Sequence, residues 1–326
     1  MAVYTNLSKL DLDHHLQNYN IGKLINFKGI VAGIDNSNFI IESDLDKFIL
    51  TIFESRINQQ HLPFFIELTK HLSNHEICCP KPIFNKNSQF LTKIKNKTSV
   101  IVTFLKGKTL EPNENGFYSN INKYHCFEIG KIAAKMHLAT ADFHMTREND
   151  LGVKQFLTFF NKFSDLVDDY KSGLKKEIIQ TIEFINSKWD NSLPSGVIHS
   201  DLFPDNVFFN DEDLTKVSGV IDFYFAANDL YIYDFACIVN AWCFSGENNF
   251  IKENFDYLLK GYESIRNFNT KEKDSLNIAF IAASLRFLLT RLHDMFFTKK
   301  DSLVKIKDPQ EYINKLNFFI INNKIF

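Results

Sequence analysis

The spacing of apolar positions changes about a third of the way along the chain. Before residue 105 they fall in short runs rich in β-branched and aromatic residues: Leu24–Val31 (LINFKGIV), Phe39–Glu42 (FIIE), Lys47–Phe53 (KFILTIF) and Val100–Leu105 (VIVTFL). Two polar stretches, Asp35-Asn36-Ser37-Asn38 and Ser43-Asp44-Leu45-Asp46, separate the first three runs. Such runs, punctuated by Gly, Asn and Asp, predict an antiparallel meander. One helix interrupts it: over His61–Ile77 the residues Leu62, Phe65, Ile66, Thr69 and Leu72 share a face at 3.6-residue spacing, and Pro80 and Pro82 end it. After Lys106-Gly107, which reads as a hinge, the period becomes helical over Tyr124–Ala141, Lys154–Tyr170, Leu174–Lys188 and most of Asp234–Phe326. A β segment is inserted there, with runs at Gly196–Ile198, Val207–Phe209 and Val217–Ile221. Strands first and helices later predict an α+β protein of two lobes, a β-rich one over 1–105 and a mainly helical one over 106–326.

Composition narrows the function classes. Apolar residues are 45% of the 326, enough for a sizeable core. Lys and Arg (37) nearly balance Asp and Glu (39), so neither a basic nucleic-acid surface nor a polybasic membrane tract is expected. The 34 Phe residues reflect a bias of the whole chain, which makes any single Phe weak evidence of function. Five cysteines, an odd number without a CxxC pair, fit reduced thiols and no zinc site. Met1–Leu16 lacks the apolar run of a signal peptide, and Ile278–Leu289 is short and broken by Arg286. A soluble cytoplasmic protein is the expectation; the pattern is silent on oligomeric state.

The chemistry concentrates in Val197–Phe225, VIHSDLFPDNVFFNDEDLTKVSGVIDFYF. His199-Ser200-Asp201 follows an apolar run, Asn206 lies five residues beyond Asp201, and Asp222 follows the next apolar runs. Phosphoryl transfer needs this set: one carboxylate to orient a hydroxyl and take its proton, and two oxygen donors for Mg²⁺ beside the phosphates. Asp201 is assigned the base role, and Asn206 and Asp222 the metal. A lone H-x-D is also what a strand end with a helix cap looks like; the joint pattern of strand, H-x-D, Asn at +5 and a later Asp before an aromatic is far rarer. His199 reads as a structural residue bonding loop backbone. Asp205 reads equally as a ligand or as a turn-stabilising residue.

The segment resembles the H-x-D-x-x-x-x-N loop of the aminoglycoside phosphotransferase and choline kinase superfamily, and within it the bacterial homoserine kinase family of that fold. The resemblance spans nearly the whole chain through Met1-Ala-Val-Tyr-Thr5, Phe27-Lys-Gly-Ile30 with Asn36-Ser-Asn-Phe39, Phe48-Ile-Leu-Thr51, Leu62-Pro-Phe-Phe65, His199-Ser-Asp-Leu-Phe-Pro-Asp-Asn-Val-Phe208, Ile221-Asp-Phe-Tyr224, and Tyr233-Asp234 followed by Asn240-Ala-Trp-Cys243. It implies a bilobal protein-kinase-like fold, ATP and Mg²⁺, and phosphorylation of the L-homoserine hydroxyl, a step of threonine biosynthesis, with the nucleotide in the cleft between lobes. Asn36, Ser37 and Asn38, on the tip between the first two strands, are then expected over the phosphates; an ordinary hairpin turn favours the same residues. One departure stands out. Thr51 occupies the position of the third-strand Lys of protein kinases, with Lys47 or Arg56 as nearby substitutes and Glu67 as the candidate helix acid by order alone.

Homoserine carries a carboxylate, an ammonium and a primary hydroxyl, so its site requires a cation and an anion. Arg286, inside an apolar run, is a candidate for the carboxylate, although a buried Arg is more often paired with an internal Asp. Tyr224 and Asn240 are candidate pocket residues; Arg291 and Asp294 are weaker ones. Asp234 is placed to cap the helix it begins. Two other readings compete: a kinase of the same superfamily with an aminoglycoside, choline or sugar acceptor, and a non-catalytic nucleotide-binding protein, for which Thr51 is the argument.

Overall fold

A computed structural model describes residues 5–30, 36–54, 58–113, 118, 120–246, 248–298 and 306–322. The chain divides into two compact units, Met1–Lys106 and Gly107–Phe326.

Among the described residues, the first unit is a five-stranded antiparallel sheet, in the order β1-β2-β3-β5-β4, with two helices. The strands are β1 (Leu24–Ile30), β2 (Asn36–Ser43), β3 (Lys47–Phe53), β4 (Thr92–Ile94) and β5 (Lys97–Thr103). Helix α1 (Lys9–Leu16) starts at a capping box in which Ser8 and Asp11 each bond the other's backbone N–H. It buries only Leu12, His15 and Leu16, too short a stripe to register as a periodic signal. Leu12 and Leu16 join Phe39, Ile41, Leu50 and Ile101 in the core. Alternation along β3 sends Phe48, Leu50 and Ile52 to one face and Thr51 and Phe53 to the other, all buried. Helix α2 (Leu62–Asn74) opens with Pro63 in its first turn and buries Leu62, Phe65, Leu68 and Leu72.

The expected tip between the first strands is displaced. Asn36, Ser37 and Asn38 are the first residues of β2, paired with Phe53, Ile52 and Thr51. The polar pattern misled because short polar side chains also satisfy one another across a ladder: Thr51 Oγ1 donates to Asn38 Oδ1 at 2.8 Å. Gly33, Asp35 and Arg56, together with Met1–Tyr4 of the motif at the start of the chain, lie outside the described residues.

The second unit holds β6 (Lys108–Thr109), α3 (Lys123–Ala139), α4 (Phe156–Phe160), α5 (Val167–Tyr170), α6 (Leu174–Lys188), β7 (Ser195–Ile198), β8 (Val207–Phe209), β9 (Val217–Val220), β10 (Ala227–Leu230), α7 (Tyr231–Trp242), α8 (Lys252–Glu263), α9 (Thr270–Asp274), α10 (Leu276–Phe297) and α11 (Gln310–Ile321). The continuous helix expected over Lys154–Tyr170 is broken into α4 and α5 joined by 3₁₀ turns, because Phe163 leaves the helical region (φ −142°) while its ring stays buried. Helix α10 is long and apolar enough to cross a membrane by length and composition, but 72% of that window is buried inside the protein, as in a core helix. Helix α7, buried at every position except Ala241, packs on it. Helices α3 and α8 approach closely at two glycines: a Cβ on Gly130 would meet the Leu258 carbonyl oxygen at 2.1 Å, and one on Gly261 the Phe127 carbonyl oxygen at 2.0 Å. All five cysteines are free thiols, and all but Cys78 are buried.

Candidate active site

The loops that carry the chemistry hang from two small sheets, β7–β10 and β6-β8-β9. Strand β7 delivers the chain to His199. Its Nδ1 accepts the Asp201 N–H at 3.2 Å, so Nε2 carries the proton and donates to the Ile221 carbonyl at 3.0 Å. Burial holds the His199 pKa below its usual value, as a neutral ring making these two bonds requires. This histidine ties the Asp201 loop to Ile221, between the end of β9 and Asp222.

Ser200 sits in the left-handed region (φ 69°), a conformation that costs a non-glycine residue about 1 kcal/mol or more. Asp234 holds it there. Its fully buried carboxylate accepts the Ser200 N–H at 2.6 Å and the His199 N–H at 3.1 Å. Burial would raise this carboxyl's pKa, but the bond from His137 Nε2 at 2.9 Å, with the charge and backbone bonds around it, holds it below the ordinary value. Tyr262 and Arg266 extend the chain of contacts. Arg266 donates to the Tyr262 oxygen at 3.2 Å, which leaves the hydroxyl proton for His137 Nδ1 at 2.8 Å. His137 lies on α3 and Tyr262 on α8, so the glycine-mediated approach of these helices sets the distance between the two rings.

From this support the reactive groups project together. Asn206 Nδ2 donates to the Asp201 carbonyl at 2.8 Å and to its Oδ2 at 3.3 Å. With the amide nitrogen so used, Asn206 Oδ1 remains as its donor oxygen. The Ile221 N–H donates to the Asn206 carbonyl at 2.9 Å and Val207 pairs with Val220, which sets Asp222 beside Asn206. Asp222 is itself left-handed (φ 64°), and the 3₁₀ turn Phe223–Phe225 begins immediately after it. Asn206 and Asp222 thus offer two hard oxygen donors, a set that suits Mg²⁺. The Asp201 side chain is 22% exposed. Burial raises its pKa, while Arg286, His199 and Lys307 pull it back and Asp205 adds to the rise.

The remaining candidates fall elsewhere. Arg286, buried on α10, donates from Nη1 to the Ser200 carbonyl at 2.6 Å, and its Nη2 lies 3.9 Å from Asp201 Oδ1. Its guanidinium grips the loop backbone beside Asp201, the internal partnership that the sequence weighs against a substrate-carboxylate anchor. The expectation for Asn240 is corrected: fully buried, it donates to the Ala236 carbonyl and accepts from Ser284 Oγ, both within the helical core. Tyr224 is half-buried on the turn after Asp222. Asp234 is no cap, because α7 begins at Tyr231 without a side-chain cap and the carboxylate faces the loop instead. Within the first unit, Ser37 accepts the Thr5 N–H and donates to Glu54 Oε1, and Lys97 pairs with Glu54 at 2.5 Å. These contacts commit Ser37, and the Thr51 bond commits Asn38, to the sheet. Lys47 pairs with Glu42, and Glu67 with Lys70 on an exposed helix face.

The site's architecture has counterparts among known proteins. Residues 26–268 match the model of the phosphotransferase enzyme family. Homoserine kinases of Mesorhizobium japonicum and Xanthobacter autotrophicus are 40% and 41% identical over 318 residues, covering 98% of this chain and 96% of each relative. Among solved structures, amicoumacin kinase in complex with AMP-PNP, Ca²⁺ and Ami superposes with a TM-score of 0.68 at 12% identity, covering 97% of this chain and 93% of that one. The ethanolamine kinase of Plasmodium vivax gives 0.62 at 15% identity, over 91% and 83%. At such low identity these two structures establish the fold, a protein-kinase-like one with a β-rich N-terminal region and a helical C-terminal part. The full-length matches establish the rest: the chain belongs to the phosphotransferase enzyme family, in the group formed by its homoserine kinase relatives.

Proposed function

We propose that the protein transfers the γ-phosphoryl group of ATP to the hydroxyl of L-homoserine, giving O-phospho-L-homoserine, as a soluble cytoplasmic enzyme of threonine biosynthesis. The observation that carries this reading is the convergence of Asp201, Asn206 and Asp222 on one locked loop pair, in a chain matched over nearly its full length by homoserine kinases.

Asp201 orients the acceptor hydroxyl and receives its proton as the new P–O bond forms. Positioning and charge stabilisation supply most of the acceleration in phosphoryl transfer, so the rigidity of the loop is the protein's main contribution. Asp234 and His199 fix the backbone, Asn206 fixes the Asp201 carboxylate through Nδ2, and Arg286 favours its ionised form. Asn206 and Asp222 would hold Mg²⁺, which when bound neutralises phosphate charge.

The test is ADP release with homoserine and Mg-ATP, run beside ethanolamine, choline, an aminoglycoside and a sugar. Homoserine should be the preferred acceptor, and Asp201→Ala should lower turnover by about 10²–10⁴-fold in a variant that still binds nucleotide. Full turnover in that variant, or preference for another acceptor, overturns the assignment.

A further inference from the structure

Beside Asp201 the helical unit encloses a cavity of about 430 Å³, lined by Phe203 of the loop, by Tyr118, by Asn248, and by Lys307 and the start of α11. Its charges are unevenly spent. In the floor, Arg291 and Lys315 share one carboxylate, Glu311, at 2.6 and 2.7 Å. Burial opposes ionisation of Glu311, yet the two cations hold its pKa at about 2. Across the whole lining, Arg291, Lys307 and Lys315 face Glu311 and Asp308, three positive charges against two negative, so the cavity carries one surplus positive charge.

At the rim, Lys307 is exposed and rests over the Phe203 ring, its ammonium 5.9 Å from the ring centre. No ion pair or hydrogen bond engages it among the described residues. It is near enough for its charge to favour ionisation of Asp201. Asp205, also exposed, acts on Asp201 in the opposite sense and accepts a hydrogen bond from Tyr118 of the cavity wall. Asn248, on the wall, keeps a buried amide oxygen that accepts no hydrogen bond among the described residues. An exposed cation over Phe203 and an exposed anion bonded to Tyr118 therefore stand on the loop side of the cavity, near the group that takes the hydroxyl proton.

We propose that this cavity and its rim form the acceptor subsite, in which Lys307, on a lining with one surplus positive charge, binds the carboxylate of the amino acid and Asp205, beside the wall residue Tyr118, binds its ammonium group. The assignment rests on the homoserine reading above and deepens it. A hydroxyl alone would be served by Asp201. The pair of opposite charges makes the site selective for a zwitterion, since an acceptor lacking either charge leaves one of the two unpaired. It also explains why Arg286 is not needed at the substrate.

The test uses two acceptors that each lack one charge: 3-aminopropan-1-ol, without the carboxylate, and 4-hydroxybutyrate, without the ammonium. In Lys307→Met, the preference for homoserine over 3-aminopropan-1-ol, as a ratio of kcat/KM, should fall by about 30-fold, the worth of one charge-assisted contact. In Asp205→Asn, the preference for homoserine over 4-hydroxybutyrate should fall by about as much. Where an analogue turns over too slowly, its inhibition constant against homoserine replaces kcat/KM. Equal losses on both acceptors in either variant assign that residue to scaffold and overturn the subsite, as does an unaltered ratio. A wild-type protein that ignores homoserine yet phosphorylates another alcohol instead overturns the functional reading on which the subsite rests.

Discussion

The loop carrying Asp201 and the cavity beside it are neighbours built on opposite rules. On the loop, charge is consumed inside the protein: Asp234 by two backbone N–H groups and His137, Arg286 by the Ser200 carbonyl and the nearby Asp201. At the cavity and its rim, charge stays exposed: Lys307 has no ion pair among the described residues, and Asp205 has only the Tyr118 hydroxyl as a hydrogen-bond partner there. A reaction that depends on placement needs its base fixed before the substrate arrives, and buried charge-assisted bonds fix it. Recognition needs the reverse, because a group already satisfied gains nothing from a ligand.

Substitutions at three further residues bear on that contrast beyond those at Asp201, Lys307 and Asp205. The largest effect is expected at Asp234. Asp234→Ala strips a buried carboxylate from His137 and two amides, and should lower unfolding stability by about 3–5 kcal/mol, read by denaturant titration near neutral pH. Because the folded-state pKa of Asp234 lies below its ordinary value, its stabilisation is present above that ordinary value and is lost as the pH falls through the depressed one. The gap between wild type and variant should therefore close on acidification. A variant within about 1 kcal/mol of wild type at neutral pH would mean that the loop is not held by buried charge.

Next in size is Asp222→Asn. Turnover should fall by about 100-fold, with a higher Mg²⁺ concentration needed for half-maximal rate. A fall without that displacement would remove Asp222 from the metal.

The smallest effect is expected from Arg286→Met, and it is the most discriminating. With the guanidinium gone, burial of Asp201 is less opposed and its pKa rises. The ionised carboxylate is the active form, so kcat/KM should fall and its acid limb should move to higher pH. Arg286→Lys should restore part of both. If the Michaelis constant for homoserine rises instead while the pH profile stays put, Arg286 belongs to the cavity and the division between loop and cavity fails.

The catalytic loop was readable because its parts are local. His199, Asp201 and Asn206 lie within eight positions, and the strand that brings Asp222 beside them is the next in the chain, so spacing carried the geometry. Asp234 was visible as an Asp at the head of an apolar helix, but the same pattern suits a cap, and only the fold turned its carboxylate toward Ser200. Asn240 was misread for a related reason: a polar residue in an apolar helix needs a partner, and Ser284, forty-four positions away, supplies it.

What the sequence by itself determined is the broad order of a strand-rich and a helix-rich part, through their apolar periods, and the placement of three oxygen-bearing side chains on a pair of loops, through their spacing. Only the tertiary structure decided which charges are spent and which are offered. Arg286 and Lys307 are both simply cations in the sequence; one is buried against the loop and the other stands exposed over the Phe203 ring. The cost of desolvating a charge, and hence whether it must find its partner within the protein or can wait for a ligand, is set by what packs around it, and those neighbours come from segments that the linear chain does not place together.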